Sequence, residues 1–250
     1  MGIKKFINSF VLKFYSFFDE SITQFAVKGL MNYGNSDIHL LNNDFKQLER
    51  KIAFTYIAQL TRDIQGDYLE FGVYSGASFI LAYRCISEIA HDKNCRFFGF
   101  DSFEGFPQIV YESDKIEGWK EGDFRCDYSS IVKNISSIIK ENEFRLIKGF
   151  YETTLNDSLR KELDIKKAKI VMIDCDLYES MKKALFWVEP YLDYGSVIIF
   201  DDYYVIYSRG DPKIGGAAKI FEEFLETTNF KAHHYCNYGA TGKIFILHQK

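Results

Sequence analysis

Val171-Met172-Ile173-Asp174-Cys175-Asp176-Leu177-Tyr178-Glu179-Ser180 is an apolar run of strand character that stops abruptly in carboxylates, and Ile199-Phe200-Asp201-Asp202-Tyr203 repeats the pattern further along. In an open α/β sheet, ligands sit beyond the carboxyl ends of the strands. Two such runs bring Asp174, Asp176, Asp201 and Asp202 to one edge. Bare carboxylates crowded there repel one another and hold on to protons, so a bound divalent cation is the economical account of three of them.

Upstream of these runs the chain alternates between strand and helix patterns. Strands are expected over 67–73, 95–100, 144–148, 170–174 and 196–201, with helices over 77–90, 129–140, after the fourth strand as far as Pro190, and over 217–227. Two β-rich runs, 231–236 and 243–248, flank a turn containing Gly239 and Gly242 and read as a hairpin. The expected fold class is therefore α/β: a Rossmann-like, mostly parallel sheet with a C-terminal antiparallel hairpin and helices on both faces. The order of the strands is not written in this pattern.

The region ahead of the first strand is helical. Ile3, Phe6, Ile7, Phe10, Val11, Phe14, Phe17 and Phe18 recur at helical spacing with Lys4, Lys5 and Lys13 between them, and a second helix is expected over 42–64. Residues 1–66 are thus read as a helical extension serving as lid or oligomer contact, and 67–250 as the catalytic domain. The amphipathic helix is expected to pack on its own chain or on a partner in a homodimer; lying on a membrane surface is the alternative for a helix of this kind.

A net charge of −4 and a pI near 5.8 leave no basic surplus for nucleic acid. The five cysteines, Cys85, Cys95, Cys126, Cys175 and Cys236, include no C-x-x-C pair, which argues against a disulfide framework or a zinc site and fits a reducing cytoplasm. No apolar run is long enough to cross a bilayer, and no small-residue cleavage site follows the apolar N-terminal stretch.

The first strand ends in Leu69-Glu70-Phe71-Gly72-Val73-Tyr74-Ser75-Gly76-Ala77-Ser78. Glycines in such a turn let a ligand approach the backbone, so Gly72, Tyr74, Ser75 and Gly76 are candidates for cofactor contact. Tyr74 stands where the nicotinamide fingerprint requires its second glycine, so the turn departs from G-x-G-x-x-G. The second strand ends in Asp101-Ser102-Phe103-Glu104-Gly105-Phe106-Pro107. An acid at this place can accept hydrogen bonds from both ribose hydroxyls of an adenosine, with Ser102 and Phe103 at hand for the base. A tight structural turn and a helix cap are the plainer readings of the two segments.

Taken in order, the Leu69–Gly76 segment, Asp101–Pro107, Asp174-Cys175-Asp176-Leu177-Tyr178-Glu179-Ser180 and Phe200-Asp201-Asp202-Tyr203 resemble the macrocin O-methyltransferase family from about Asp67 to Ala218. The resemblance implies a class I methyltransferase that uses S-adenosylmethionine and Mg²⁺ to methylate a sugar hydroxyl. It implies Asp174, Asp201 and Asp202 as metal ligands, Asp176 as general base beside the catalytic ligand Asp174, and Glu70 and Asp101 on the cofactor side. The acceptor would be a nucleotide-sugar, a surface polysaccharide or a glycosylated metabolite.

The chemistry suits these residues. A sugar hydroxyl is a poor nucleophile while it keeps its proton, and a cation taking two vicinal hydroxyls would lower the pKa of the reacting one. Asp176 could instead be a fourth ligand, and Asp201 and Asp202 could cap the following segment. The 108–127 excursion, with Tyr111, Trp119 and Phe124 among its charges, reads as a mobile cover over the site. Two rivals remain at this point: a catechol-type methyltransferase, served by the same chelation, and a catalytically silent S-adenosylmethionine-binding protein.

Overall fold

A computed structural model of the chain describes residues 35–116, 118–203, 216–239 and 241–249, with side chains from residue 47 onward. The amphipathic stretch expected over residues 3–18 lies outside them. The chain divides into two compact units, one reaching Arg50 and taking in Tyr238–Ala240, the other comprising Lys51–Asn237 and Thr241–Lys250. In the first, Glu49 on helix α1 (Asn35–Leu60) accepts the backbone N–H of Gly239 at 2.6 Å, and burial raises its carboxyl above the usual carboxylate range.

The sheet belongs to the second unit. Strands β1 (Asp67–Phe71), β2 (Phe97–Asp101), β3 (Phe144–Lys148), β4 (Ala168–Ile173), β5 (Val197–Phe200), β6 (Phe230–Tyr238) and β7 (Gly242–Gln249) form one sheet in the order β3-β2-β1-β4-β5-β7-β6. The first five pair in parallel, and β7 runs antiparallel to β5. Every residue of β1, β4 and β5 is buried, which is why these strands read as continuous apolar runs rather than as alternating ones.

Helices α2 (Ala77–Tyr83), α3 (Tyr128–Ser136), α4 (Tyr151–Thr154), α5 (Asp157–Leu163), α6 (Tyr178–Val188) and α7 (Ala217–Thr227) connect the strands. The helix expected over 77–90 loosens into a π-helical segment, Arg84–Ile89. The one expected over 129–140 ends earlier, where the Ser137 hydroxyl donates to the Asn134 carbonyl at 2.6 Å and competes with the helical ladder. Helices α4 and α5 were not legible in the sequence; each is a turn or two long, and buried Tyr151, Leu155 and Leu163 anchor them by tertiary packing rather than by periodicity.

Strand order reverses between β1 and β4, the place where an α/β sheet opens a crevice. Phe100, Phe71, Ile173 and Phe200 are in register across β2, β1, β4 and β5. The next residue of each chain, Asp101, Gly72, Asp174 and Asp201, therefore stands on one rim, with neighbours about 5 Å apart. Below the rim, Phe71 stacks on Phe100 with centroids 4.6 Å apart, and Trp187 of α6 meets both rings edge-on, which fixes the strand ends.

Candidate active site

Asp174, Asp201 and Asp202 each turn a carboxylate oxygen to within 4.8 Å of the others, and Asp201 is buried. Because β7 is antiparallel, its start lies at the same rim as the end of β5, and Thr241 just ahead of it reaches the cluster. The Thr241 hydroxyl lies 2.8 Å from the Asp201 carbonyl and 2.9 Å from an Asp202 carboxylate oxygen and donates its one hydrogen between them. Tyr203 N–H donates to the Thr241 carbonyl at 3.0 Å, so both sides of the Asp201-Asp202 step are held. Three all-oxygen, anionic donors at this spacing fit a hard divalent cation, which keeps further positions for other oxygen ligands.

Asp176 stands two residues beyond Asp174 with φ 58°, in the left-handed region. Leu177 N–H donates to the Cys175 carbonyl at 2.6 Å, closing a tight turn, and α6 begins directly afterwards. Tyr74 (φ 47°) and Phe103 (φ 55°) share the left-handed conformation, so three of the residues singled out from sequence carry backbone strain at one sheet edge. Burial pushes the Cys175 thiol well above its ordinary value, and Asp176, Asp174, Asp101 and Asp114 add to the shift. Its side chain packs against the core cluster beneath.

Asp101 organises the turn after β1. One of its carboxylate oxygens accepts the N–H groups of Val73 (2.9 Å) and Tyr74 (2.8 Å), and the other accepts that of Phe103 (2.7 Å). A carboxylate has about four acceptor positions, so most of its capacity goes to the backbone and little is left for a ribose. Gly72 is half-buried and Gly76 buried, while Tyr74 and Ser75 are exposed, so these two are the faces the turn offers outward.

Other candidates sit deeper than expected. Glu70 is fully buried, accepting from the hydroxyl of Ser78 at 2.6 Å and from that of Tyr68, so it braces β1 against α2 from beneath the turn. Ser102 donates to the Gly105 carbonyl at 2.8 Å and accepts from Glu104 N–H at 3.1 Å. Phe103 is only 2% exposed and packs on Tyr128 with centroids 5.0 Å apart, so its ring is not the free face expected for a base.

The 108–127 excursion is packed down. Phe106 N–H donates to Asp123 (2.9 Å), Gly122 N–H returns to Phe106 (3.0 Å), and Phe106, Trp119 and Phe124 form an aromatic cluster whose Phe124 meets Tyr74 edge-on at 6.0 Å. Its short 3-10 turn, Glu112–Asp114, buries Asp114, which accepts the N–H of Glu179 at 3.1 Å. Burial raises the Asp114 carboxyl above its usual range, with Glu179 and Glu152 adding to the rise and the Glu179 and Tyr178 amides opposing it. Asp114 and Thr241, which hold the start of α6 and the carboxylate cluster, are residues that sequence reasoning missed, as is Tyr151 in the core. Tyr151 is a buried phenol that donates to the Phe100 carbonyl at 3.0 Å below the rim. Only Asp114 left a trace, since Leu177 opens a helix without an oxygen to cap it. His233 and His234 are exposed on β6, and His234 pairs with Asn237 at 2.8 Å.

Residues 45–212 match the macrocin O-methyltransferase (TylF) family. The chain belongs to that family. Among relatives of this macrocin O-methyltransferase family member is the 8-demethyl-8-(2,3-dimethoxy-alpha-L-rhamnosyl)-tetracenomycin-C 4'-O-methyltransferase of Streptomyces olivaceus, 27% identical over 150 residues. That match takes in 58% of this chain and 55% of the relative, so the chain spans about half the length of the curated relative it matches. The fold is shared with the O-methyltransferase NovP, with TM-score 0.65 and 21% identity over 79% of each chain. It is also shared with the calicheamicin methyltransferase CalS11, with TM-score 0.64 and 21% identity over 90% of each chain. Asp174, Asp201 and Asp202, whose carboxylates meet at the rim, all lie within the matched residues. No described helix is long and apolar enough to cross a membrane.

Proposed function

We propose that this protein transfers a methyl group from S-adenosylmethionine to a hydroxyl of a sugar, free as a nucleotide-sugar or carried on a larger molecule. The observation that carries this reading is the meeting of Asp174, Asp201 and Asp202 on the rim next to the Gly72–Gly76 turn. The name of the rhamnosyl-modifying relative supports a sugar acceptor.

In this reading the turn after β1 receives the donor, with Tyr74 and Ser75 as its exposed contacts, while Asp101, Glu70, Gly72, Gly76, Ser102 and Phe103 hold its shape. Asp174, Asp201 and Asp202 would hold Mg²⁺, which when bound supplies Lewis acidity toward vicinal hydroxyls. Thr241 orients Asp202, and Asp201 is itself held out of solvent. Asp176 accepts the acceptor hydroxyl's proton, a contribution of about 10²- to 10⁴-fold in rate for a well-placed base. Phe124 and Tyr74 shield the donor side from solvent.

A screen of nucleotide-sugars and catechols for transfer of labelled methyl tests the proposal. Transfer to at least one sugar, abolished by EDTA and restored by Mg²⁺, is expected. Transfer to catechols alone rejects the sugar assignment, and calorimetry showing no binding of S-adenosylmethionine rejects methyl transfer altogether.

A further inference from the structure

Helix α6 starts two residues after Asp176, and its first N–H groups have no partner within the helix. Its N-cap residue, Leu177, carries no side-chain acceptor. The missing acceptor comes from elsewhere in the chain: Asp114, 65 positions earlier, takes the Glu179 N–H at 3.1 Å, and the neighbouring Ser113 hydroxyl donates to the Glu179 carboxylate at 3.0 Å. The same excursion touches the turn after β1 through Phe124 and Tyr74 at 6.0 Å. It is pinned at its base, where a Cβ on Gly105 would lie 2.4 Å from the Asp123 carbonyl oxygen.

We propose that Asp114 is a positioning residue that couples the 108–127 excursion to the Asp174–Asp176 turn, so that covering the donor side and setting Asp176 in place are one conformational event. Asp176 takes a left-handed conformation between a strand end and a helix start, so where its carboxylate sits depends on how both flanks are held. Ile173 fixes one flank through its pairing in the sheet. The other flank is the first turn of α6, which depends on Asp114 for its cap. If the excursion lifts, the cap is lost and the first turn of α6, directly after Asp176, loosens with it.

Hydrogen exchange on the full chain, read by mass spectrometry, compares wild type with Asp114→Ala and Asp114→Asn. In Asp114→Ala, exchange is expected to rise about tenfold or more in peptides covering both 108–127 and 174–180, with peptides from β1, β4 and β5 unchanged. Asp114→Asn keeps an oxygen for the Glu179 N–H and should stay within about threefold of wild type. The coupling rests on the methyl-transfer reading only for its kinetic consequence, a kcat about tenfold or more lower in Asp114→Ala, a donor KM little changed, and rescue by Asn. Exchange that rises in the excursion alone, that rises uniformly across the sheet, or that is the same for Asn and Ala overturns the proposal. A wild-type protein without methyl transfer would sink the functional reading, while the exchange comparison would still decide the coupling.

Discussion

Gly72 lies directly against Asp174: a Cβ built on Gly72 would lie 1.8 Å from the Asp174 carbonyl oxygen. The backbone leaving β1 and the backbone leaving β4 are therefore in contact, and the turn read as the donor site shares a wall with the carboxylate cluster. Gly72 also has φ 93°, so a side chain there meets both a clash with backbone and an unfavourable dihedral. Gly72→Ala is expected to destabilise the fold by about 3 kcal/mol and to abolish donor binding. Urea unfolding and calorimetry check this, and a loss under about 1 kcal/mol would show that the two turns can separate freely.

Asp176→Asn is a clean test of the base. Asparagine tolerates the left-handed conformation that Asp176 adopts, so fold and turn should survive. Binding of donor and of Mg²⁺ should be retained while kcat falls by about 10²- to 10⁴-fold. Full turnover in this variant would assign the proton to another acceptor.

The cluster should respond to its support as well as to its ligands. Asp202→Asn is expected to remove measurable Mg²⁺ binding. Thr241→Val, which deletes the hydroxyl 2.9 Å from Asp202, should weaken it by about 10- to 100-fold without altering donor affinity. Isothermal titration with the metal alone reads both. Unchanged affinity in both variants would mean that the carboxylates meet for some reason other than a cation.

Asp101→Ala leaves three backbone N–H groups around the first turn without their acceptor. The expected result is a loss of donor affinity and a stability cost of about 2 kcal/mol or more. Asp101→Asn, which keeps one acceptor oxygen, should fall between wild type and Ala in both measurements. A variant that folds with full stability yet loses the donor would instead point to a direct ribose contact.

The carboxyl of Asp114 is raised by burial, so its protonated form is favoured by folding. Its contribution to stability is fully present below the ordinary aspartate value, about 3.9, and is lost as pH rises through its higher folded value. Relative to Asp114→Asn, which cannot titrate, wild type should therefore lose stability as pH increases across that window. Melting curves of the two proteins between pH 3 and about 7 check the sign. A difference that grows in favour of wild type with rising pH would contradict the burial of this group.

Strands β1, β4 and β5 were legible because burial on both faces leaves a simple mark, and the partly exposed run from 144 to 148 was read to the residue as well. So were the carboxylates that end β4 and β5, since a charge after four or more buried apolar residues has to emerge somewhere useful. Helices α4 and α5 were not, because a helix of one or two turns stabilised by contacts from other elements has no periodicity of its own.

By itself the chain determined where the parallel strands lie to within about two residues, and that carboxylates follow the fourth and fifth, because that depends only on where apolar runs stop. Strand order and register are contacts between distant segments, and only the folded sheet decided that Asp101, Gly72, Asp174 and Asp201 stand side by side. Backbone dihedrals were settled there too: local sequence does not reveal that Phe103 turns inward, or that a carboxylate in a distant loop would cap the helix beginning at Tyr178.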